Sequence, residues 1–205
     1  MTYAVTAVLV LVETFVFTLA FVLFARRSKS SEKRRDGSSL LGLLLQLGGV
    51  FVGLLLMRPP ATPLLQPSAG YPAFVDLALS ALAVLLGLLA IAFTVTALKA
   101  LGRNWAYSAR ILADHKLVRS GPYAVVRHPI YTAMISMNIA AVLAFSRWEG
   151  VLVCIVMSFA GTWMRVRREE RLLSQTFGHD FADYAASVPA IVPGLRLRGR
   201  ALSAP

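Results

Sequence analysis

Five apolar segments, residues 4–24, 40–57, 74–98, 130–145 and 150–163, constrain this chain more than any other feature. A helix rises about 1.5 Å per residue and the hydrocarbon core of a bilayer is about 30 Å thick, so about 20 apolar residues cross it. The first and third segments are long enough, the second is marginal and the last two are short. Only Ser146-Arg147-Trp148-Glu149 separates the last two. That spacing predicts a tight antiparallel helical hairpin, with Trp148 near an interface and Arg147 and Glu149 at its polar tip. Charged residues make up 15% of the chain, where soluble domains carry about a quarter. The expected fold is an all-α integral membrane bundle of five transmembrane helices forming a single domain over residues 1–205. Residues 1–98 hold the first three spans and 99–205 the remainder. The run 4–24 has no basic residue ahead of it and exceeds a signal-peptide core, so it reads as a retained first span.

The formal net charge of +11 invites a nucleic-acid reading, but its distribution argues against one. Six of the 21 basic residues fall between Arg26 and Arg35, six between Lys99 and Arg127, and seven from Arg165 onward. Arg58 and Arg147 stand alone at the far ends of apolar segments. Such alternation follows the positive-inside rule and suits contact with anionic lipid headgroups. It puts the N-terminus outside, the proline-bearing loop after Arg58 outside, and residues 99–129 and the tail from Arg165 in the cytoplasm. No nucleic acid, metal or obligate protein partner is called for. Cys154 is a lone thiol in an apolar run and reads as a small buried residue.

Polar residues inside the spans are few. Glu13 lies near the middle of the first, where a carboxyl is costly and is either functional or turned into the bundle. Gly48, Gly49 and Gly53 in the second permit close helix approach.

Two polar blocks break the apolar pattern. The first runs Leu117-Val118-Arg119-Ser120-Gly121-Pro122-Tyr123, then Arg127-His128-Pro129-Ile130-Tyr131. Pro129 suits the first position of a helix, which puts His128 at or beside its N-cap. Free backbone N–H groups and the positive end of the helix dipole gather there and favour an anion. Tyr123 and Tyr131 would put two phenols close by. The alternative is that His128 and the tyrosines only anchor a helix end at the interface. The second block follows the fifth segment with Arg165, Arg167, Arg168, Glu169, Glu170 and Arg171. Leu172, Leu173 and Phe177 give a continuing helix an apolar side, Gly178 stops it, and a short helix over 181–187 ends before Pro189. Some of these charges must serve as a stop-transfer patch. A Glu pair beside arginines also suits an acidic substrate, since arginine grips a carboxylate through two parallel hydrogen bonds.

The Gly-Pro-Tyr…Arg-His-Pro-x-Tyr pattern, with Glu169-Glu170…Leu173…Phe177-Gly178…Tyr184…Val188-Pro189…Pro193 downstream, resembles the isoprenylcysteine carboxyl methyltransferase family over residues 102–194. It departs from the family pattern at Ala133, Phe181 and Ala190. The resemblance implies S-adenosyl-L-methionine in a cytoplasmic pocket under a cap of C-terminal helices, and a lipidic substrate entering sideways from the bilayer. It implies cofactor contacts at Gly121, Tyr123, His128, Pro129 and Tyr131, with Lys116, Leu117 and Val118 at the pocket edge. Arg168, Glu169 and Glu170 match the stretch associated with substrate and the catalytic centre. The acceptor expected is the carboxylate of a prenylcysteine-like molecule, which needs no general base. An amine acceptor, as in the related phospholipid N-methyltransferases, would draw on Glu169 or Glu170. A sterol-type NADPH-dependent reductase shares a loosely similar Arg-His-Pro…Val-Pro arrangement.

Overall fold

The computed structural model describes residues 2–27, 38–57, 73–102 and 117–195. All regular structure among them is helical. The α-helices are α1 (Thr2–Arg27), α2 (Ser38–Leu55), α3 (Ala73–Leu101), α4 (Pro129–Phe145), α5 (Trp148–Phe177) and α6 (His179–Ser187), with a short 3-10 helix at Gly121–Ala124. Helices α1, α3 and α5 are long and apolar enough to cross a membrane, and α2 and α4 contribute shorter apolar stretches, Leu41–Leu55 and Pro129–Phe145. The basic loop and proline-bearing loop of the expected topology fall mostly outside the described residues, as does Lys116.

Local sequence sets the helix ends. Pro129 takes the first turn of α4 with His128 as its N-cap, because a missing N–H costs nothing there. The apolar run after Gly150 continues unbroken through the charged cluster to Phe177. Gly178 then adopts φ +50°, a left-handed conformation that glycine enters without a Cβ clash. The hairpin linker is tighter than its four-residue sequence suggested: α5 starts at Trp148, leaving Ser146 and Arg147 as the connection.

Helix α4 belongs to two packed groups, α2–α4–α5 and α1–α3–α4. The largest apolar cluster joins both, with Val10 and Ala83 beside Val142, Leu143, Val151 and Cys154. Cys154 is fully buried in it. Glu13 is buried too, its carboxyl lodged against Gly87 of α3. Large apolar side chains such as Val8, Leu11, Phe15, Leu85 and Leu88 face outward from α1 and α3, as they would from a helix solvated by lipid.

Helices α2 and α5 run antiparallel in close contact. Gly53 meets Gly150, Gly49 meets Cys154 and Met157, and Gly42 meets Gly161 and Arg165. A Cβ on Gly42 would stand 2.5 Å from the Arg165 Cγ and 2.7 Å from the Gly161 carbonyl oxygen. Only glycine permits that approach. The crossing brings the start of α2, the start of α4 and the charged half of α5 to one end of the molecule, where the end of α3 abuts the 3-10 helix.

Candidate active site

Arg127 organises this end. Its Nε and Nη2 donate to Glu170 Oε1 at 2.9 and 2.6 Å, while Nη1 donates to the carbonyl of Ala185 at 2.9 Å and to that of Val188. A guanidinium spread over a carboxylate and two helix-end carbonyls couples three elements at once: the 3-10 segment, α5 and α6. The tail is laced down further by backbone bonds. Arg127 N donates to Pro189 O at 2.8 Å and His128 N to Ala190 O at 3.0 Å. Thr132 Oγ1 donates to Ile191 O at 2.6 Å. Four successive carbonyls, from Val188 to Ile191, therefore rest on residues 127–132.

This lacing changes the reading of His128. It is the N-cap of α4, as expected, but its backbone N–H is taken by the tail and its ring lies between two carboxylates. Nε2 is 3.1 Å from Glu170 Oε1 and Nδ1 is 3.7 Å from Glu169 Oε2. The ring is buried, with 3% of the side chain exposed, and stacks on Tyr131 at 5.6 Å between centroids. Tail and Glu pair come from residues far along the chain, so a local reading of the helix start could not anticipate them.

Tyr123 and Tyr131 are both buried here. Burial pushes the Tyr123 phenol far above its usual value, with Glu169 adding to the effect. Tyr184 is pushed up to about 12 by burial, partly offset by Arg127 and Arg119. Both phenols are thus hydrogen-bond donors near neutral pH and not bases. Tyr184 donates to the Tyr123 carbonyl at 2.6 Å and so ties α6 to the Gly-Pro-Tyr turn. Arg119 also reaches α6, donating to the Asp180 carbonyl at 2.7 Å.

The structure therefore brings together Tyr123, His128, Pro129, Tyr131, Glu169 and Glu170 of the expected set. Arg168 is half-buried beside Glu169 on α5. Gly121 opens the 3-10 helix and is exposed. Leu117 and Val118 are half-buried ahead of it and have no hydrogen bond to the Glu pair among the described residues. A shallow recess of about 290 Å³ lined by Arg119, Ala124, Asp183, Tyr184, Ser187 and Val188 lies beside α6. Neither His128 nor the Glu pair lines it, so it is a neighbour of the cluster and not its cavity.

Three residues of the cluster had no individual role in the sequence. Arg127 stood inside the quoted pattern without a role. Arg165 stands four residues before Glu169, one helical turn away, and its guanidinium lies 4.6 Å from the Tyr131 ring centroid. Gln46 of α2 accepts from Arg165 Nη1 at 3.0 Å and donates to Thr162 Oγ1 at 2.6 Å. The available signal for Gln46 was an amide alone in the apolar run 40–57.

Residues 81–175, just under half of the chain, match the isoprenylcysteine carboxyl methyltransferase (ICMT) family. The chain is similar to protein-S-isoprenylcysteine O-methyltransferase B of Arabidopsis thaliana, 29% identical over 100 residues that cover 48% of this chain and 51% of the relative. It is also similar to the cobalt-zinc-cadmium resistance protein CzcN of Cupriavidus metallidurans, 33% identical over 54% of this chain and 51% of that protein. A third relative, protein-S-isoprenylcysteine O-methyltransferase of Dictyostelium discoideum, is 33% identical over 40% of this chain and 35% of its own length. In each case the matched region spans about half or less of the curated relative.

Proposed function

With residues 81–175 belonging to the isoprenylcysteine carboxyl methyltransferase family, we propose that this protein is a membrane methyltransferase that uses S-adenosyl-L-methionine to methylate the carboxylate of a prenylcysteine-like, apolar-tailed acceptor. The shorter α2 and α4 count as spans beside α1, α3 and α5, giving five. In this reading the N-terminus lies outside, and α6 with the tail caps a cytoplasmic site.

The observation that carries this reading is the unequal use of the two glutamates. Glu170 is committed to Arg127 and His128 at 2.6 and 3.1 Å. Glu169 keeps 34% of its side chain exposed, and its described partners are the Tyr131 hydroxyl and the longer 3.7 Å approach to His128. A carboxylate so placed complements a cation, and a sulfonium donor with an ammonium group is one. The rings of His128 and Tyr131 and the buried Tyr123 supply the aromatic surface and donors such a ligand needs. These residues fit the donor, and they are the ones that would hold it.

When bound, the donor supplies a methyl on positive sulfur: the acceptor oxygen forms the C–O bond as the C–S bond breaks, and the electron pair stays on sulfur in neutral S-adenosylhomocysteine. The chain's own task is alignment and exclusion of water. Arg127 and Glu170 hold the tail over the start of α4, His128 and Tyr131 fix the floor, and Arg165 offers positive charge for the acceptor. No general base is required for a carboxylate.

Purified protein in detergent should gain thermal stability from S-adenosylhomocysteine and none from NADPH. Labelled methyl should pass to an S-farnesyl cysteine acceptor and be released as methanol by alkali, the mark of an ester. His128→Ala should weaken S-adenosylhomocysteine binding by about one to two decades, the loss of a charge-assisted hydrogen bond. Stabilisation by NADPH alone, or label that resists alkali, would overturn the proposal.

A further inference from the structure

Helix α2 lies outside the family-matched residues 81–175, yet it places one polar side chain in the cluster. Gln46 is 1% exposed. An amide so buried is costly unless both its ends are bonded, and here both are, to Arg165 Nη1 and to Thr162 Oγ1. Those two bonds fix which way the amide points. One turn earlier, Gly42 gives the Arg165 stem the room to lie against α2. Helix α2 thus holds Arg165 twice, by the stem and by the head.

What remains of the guanidinium is distinctive. It is 9% exposed, and its Nε is buried with no hydrogen-bond partner. Its described partners, Gln46 and the Tyr131 ring, are neutral. Among the described residues no carboxylate lies within ion-pair distance of it; Glu169, one turn on, meets it only through the Tyr131 hydroxyl that both reach, and Glu170 is taken by Arg127. Nη1 stands opposite the edge that Nε forms with Nη2, and that edge is the one with which a guanidinium grips a carboxylate side-on. Engaging Nη1 therefore leaves Nε, on the carboxylate-binding edge, without a partner.

We infer that Gln46 is a positioning residue: by holding Nη1 it presents the Nε edge of Arg165 to the acceptor's anionic head group, and so selects carboxylate-bearing amphiphiles over neutral or cationic ones. The inference rests on the transferase reading of the same site, and it assigns acceptor selectivity to α2.

The test compares wild type, Gln46→Leu, Gln46→Glu and Thr162→Val in detergent. The probes are S-farnesylthiopropionic acid and its primary amide, followed by competition and by turnover of a farnesyl cysteine acceptor. Wild type should bind the acid in preference to the amide. Gln46→Leu should lose about tenfold in acid affinity and raise KM to match. Its amide affinity, kcat and S-adenosylhomocysteine affinity should stay within about twofold. Gln46→Glu places a competing carboxylate on Arg165 and should bind the acid more weakly still. Thr162→Val frees the amide to rotate and should fall between, which keeps the test decisive if Gln46→Leu does not fold. An unchanged acid-to-amide ratio in the folded variants would overturn the inference. Failure of wild type to transfer methyl to any amphiphile would instead sink the transferase reading, and the probe ratio would still report on Arg165.

Discussion

The two ends of the α4–α5 hairpin are built on different principles. At the linker end the contacts are backbone and small side chains. Ser146 Oγ donates to Gly53 O at 2.5 Å, Arg147 N donates to Leu56 O at 2.9 Å, and Met57 pairs with Ser146 as an isolated β-bridge. In the pair of charged side chains there, Arg147 is exposed and Glu149 half-buried, with its Oε2 unbonded among the described residues. At the opposite end charged groups are drawn inward. Arg127, His128, Glu170 and Arg165 are all substantially buried, and their partners come from four separate segments. Backbone bonding closes the linker joint itself without drawing charge inward. Buried charge leaves donors and carboxylates that a ligand can finish, and it costs desolvation that a merely structural joint has no need to meet.

The largest expected effect separates the two ends by their ion pairs. Glu170→Ala leaves Arg127 charged, buried and unpaired, and should cost about 3 kcal/mol of stability along with S-adenosylhomocysteine binding. Glu149→Ala removes a solvent-screened partner and should stay within about 0.5 kcal/mol. Thermal unfolding in detergent, with hydrogen exchange read over residues 188–191, checks both. Equal, small effects would mean that the Arg127 network carries no more than a surface pair does.

The contrast can be sharpened by overfilling each end in turn. A Cβ on Gly53 would meet Val142 at 2.6 Å, much as one on Gly42 meets Arg165 at 2.5 Å. Gly53→Val and Gly42→Val should both destabilise by about 1–3 kcal/mol, the usual cost of overpacking. Only Gly42→Val should also weaken binding of a farnesyl carboxylate, because only there does the displaced neighbour carry the anchor. Loss of binding in both variants would tie the site to bundle packing in general.

The helix boundaries were largely legible in the sequence, and the long-range partners at the charged end were not. Pro129 opening α4 and Gly178 closing α5 are written in residues whose backbone preferences act locally. The apolar side at Leu172, Leu173 and Phe177 likewise announced that α5 continues past the membrane segment. The partners of His128 were not legible, because they are decided by chain distance and not by residue type. Arg127 and Glu170 are 43 positions apart, and Gln46 and Arg165 are 119 apart. The tail's contribution is four backbone carbonyls, and a carbonyl leaves no mark on the sequence. The place of His128 at the start of α4 was legible, and the tail and Glu pair bonded to it were not.

The smallest effect tests the comparison where the two ends look most alike. Each has a buried side-chain hydroxyl donating to a carbonyl of a distant segment: Ser146 to Gly53 at 2.5 Å and Tyr184 to Tyr123 at 2.6 Å. Ser146→Ala and Tyr184→Phe remove one donor each and leave the rest of the side chain in place. Both should cost about 1 kcal/mol in thermal stability, the net worth of a typical hydrogen bond. If stability were all these bonds supply, the variants would be indistinguishable in every other measurement. Tyr184, however, fixes the Gly-Pro-Tyr turn that carries Tyr123, whereas Ser146 fixes only the hairpin linker. Tyr184→Phe should therefore weaken S-adenosylhomocysteine binding by about fivefold, which is that 1 kcal/mol expressed in affinity, and Ser146→Ala should leave it unchanged. Equal affinities in the two variants would show that the turn keeps its shape without α6, and that the cap is a cover over the site and not one of its walls.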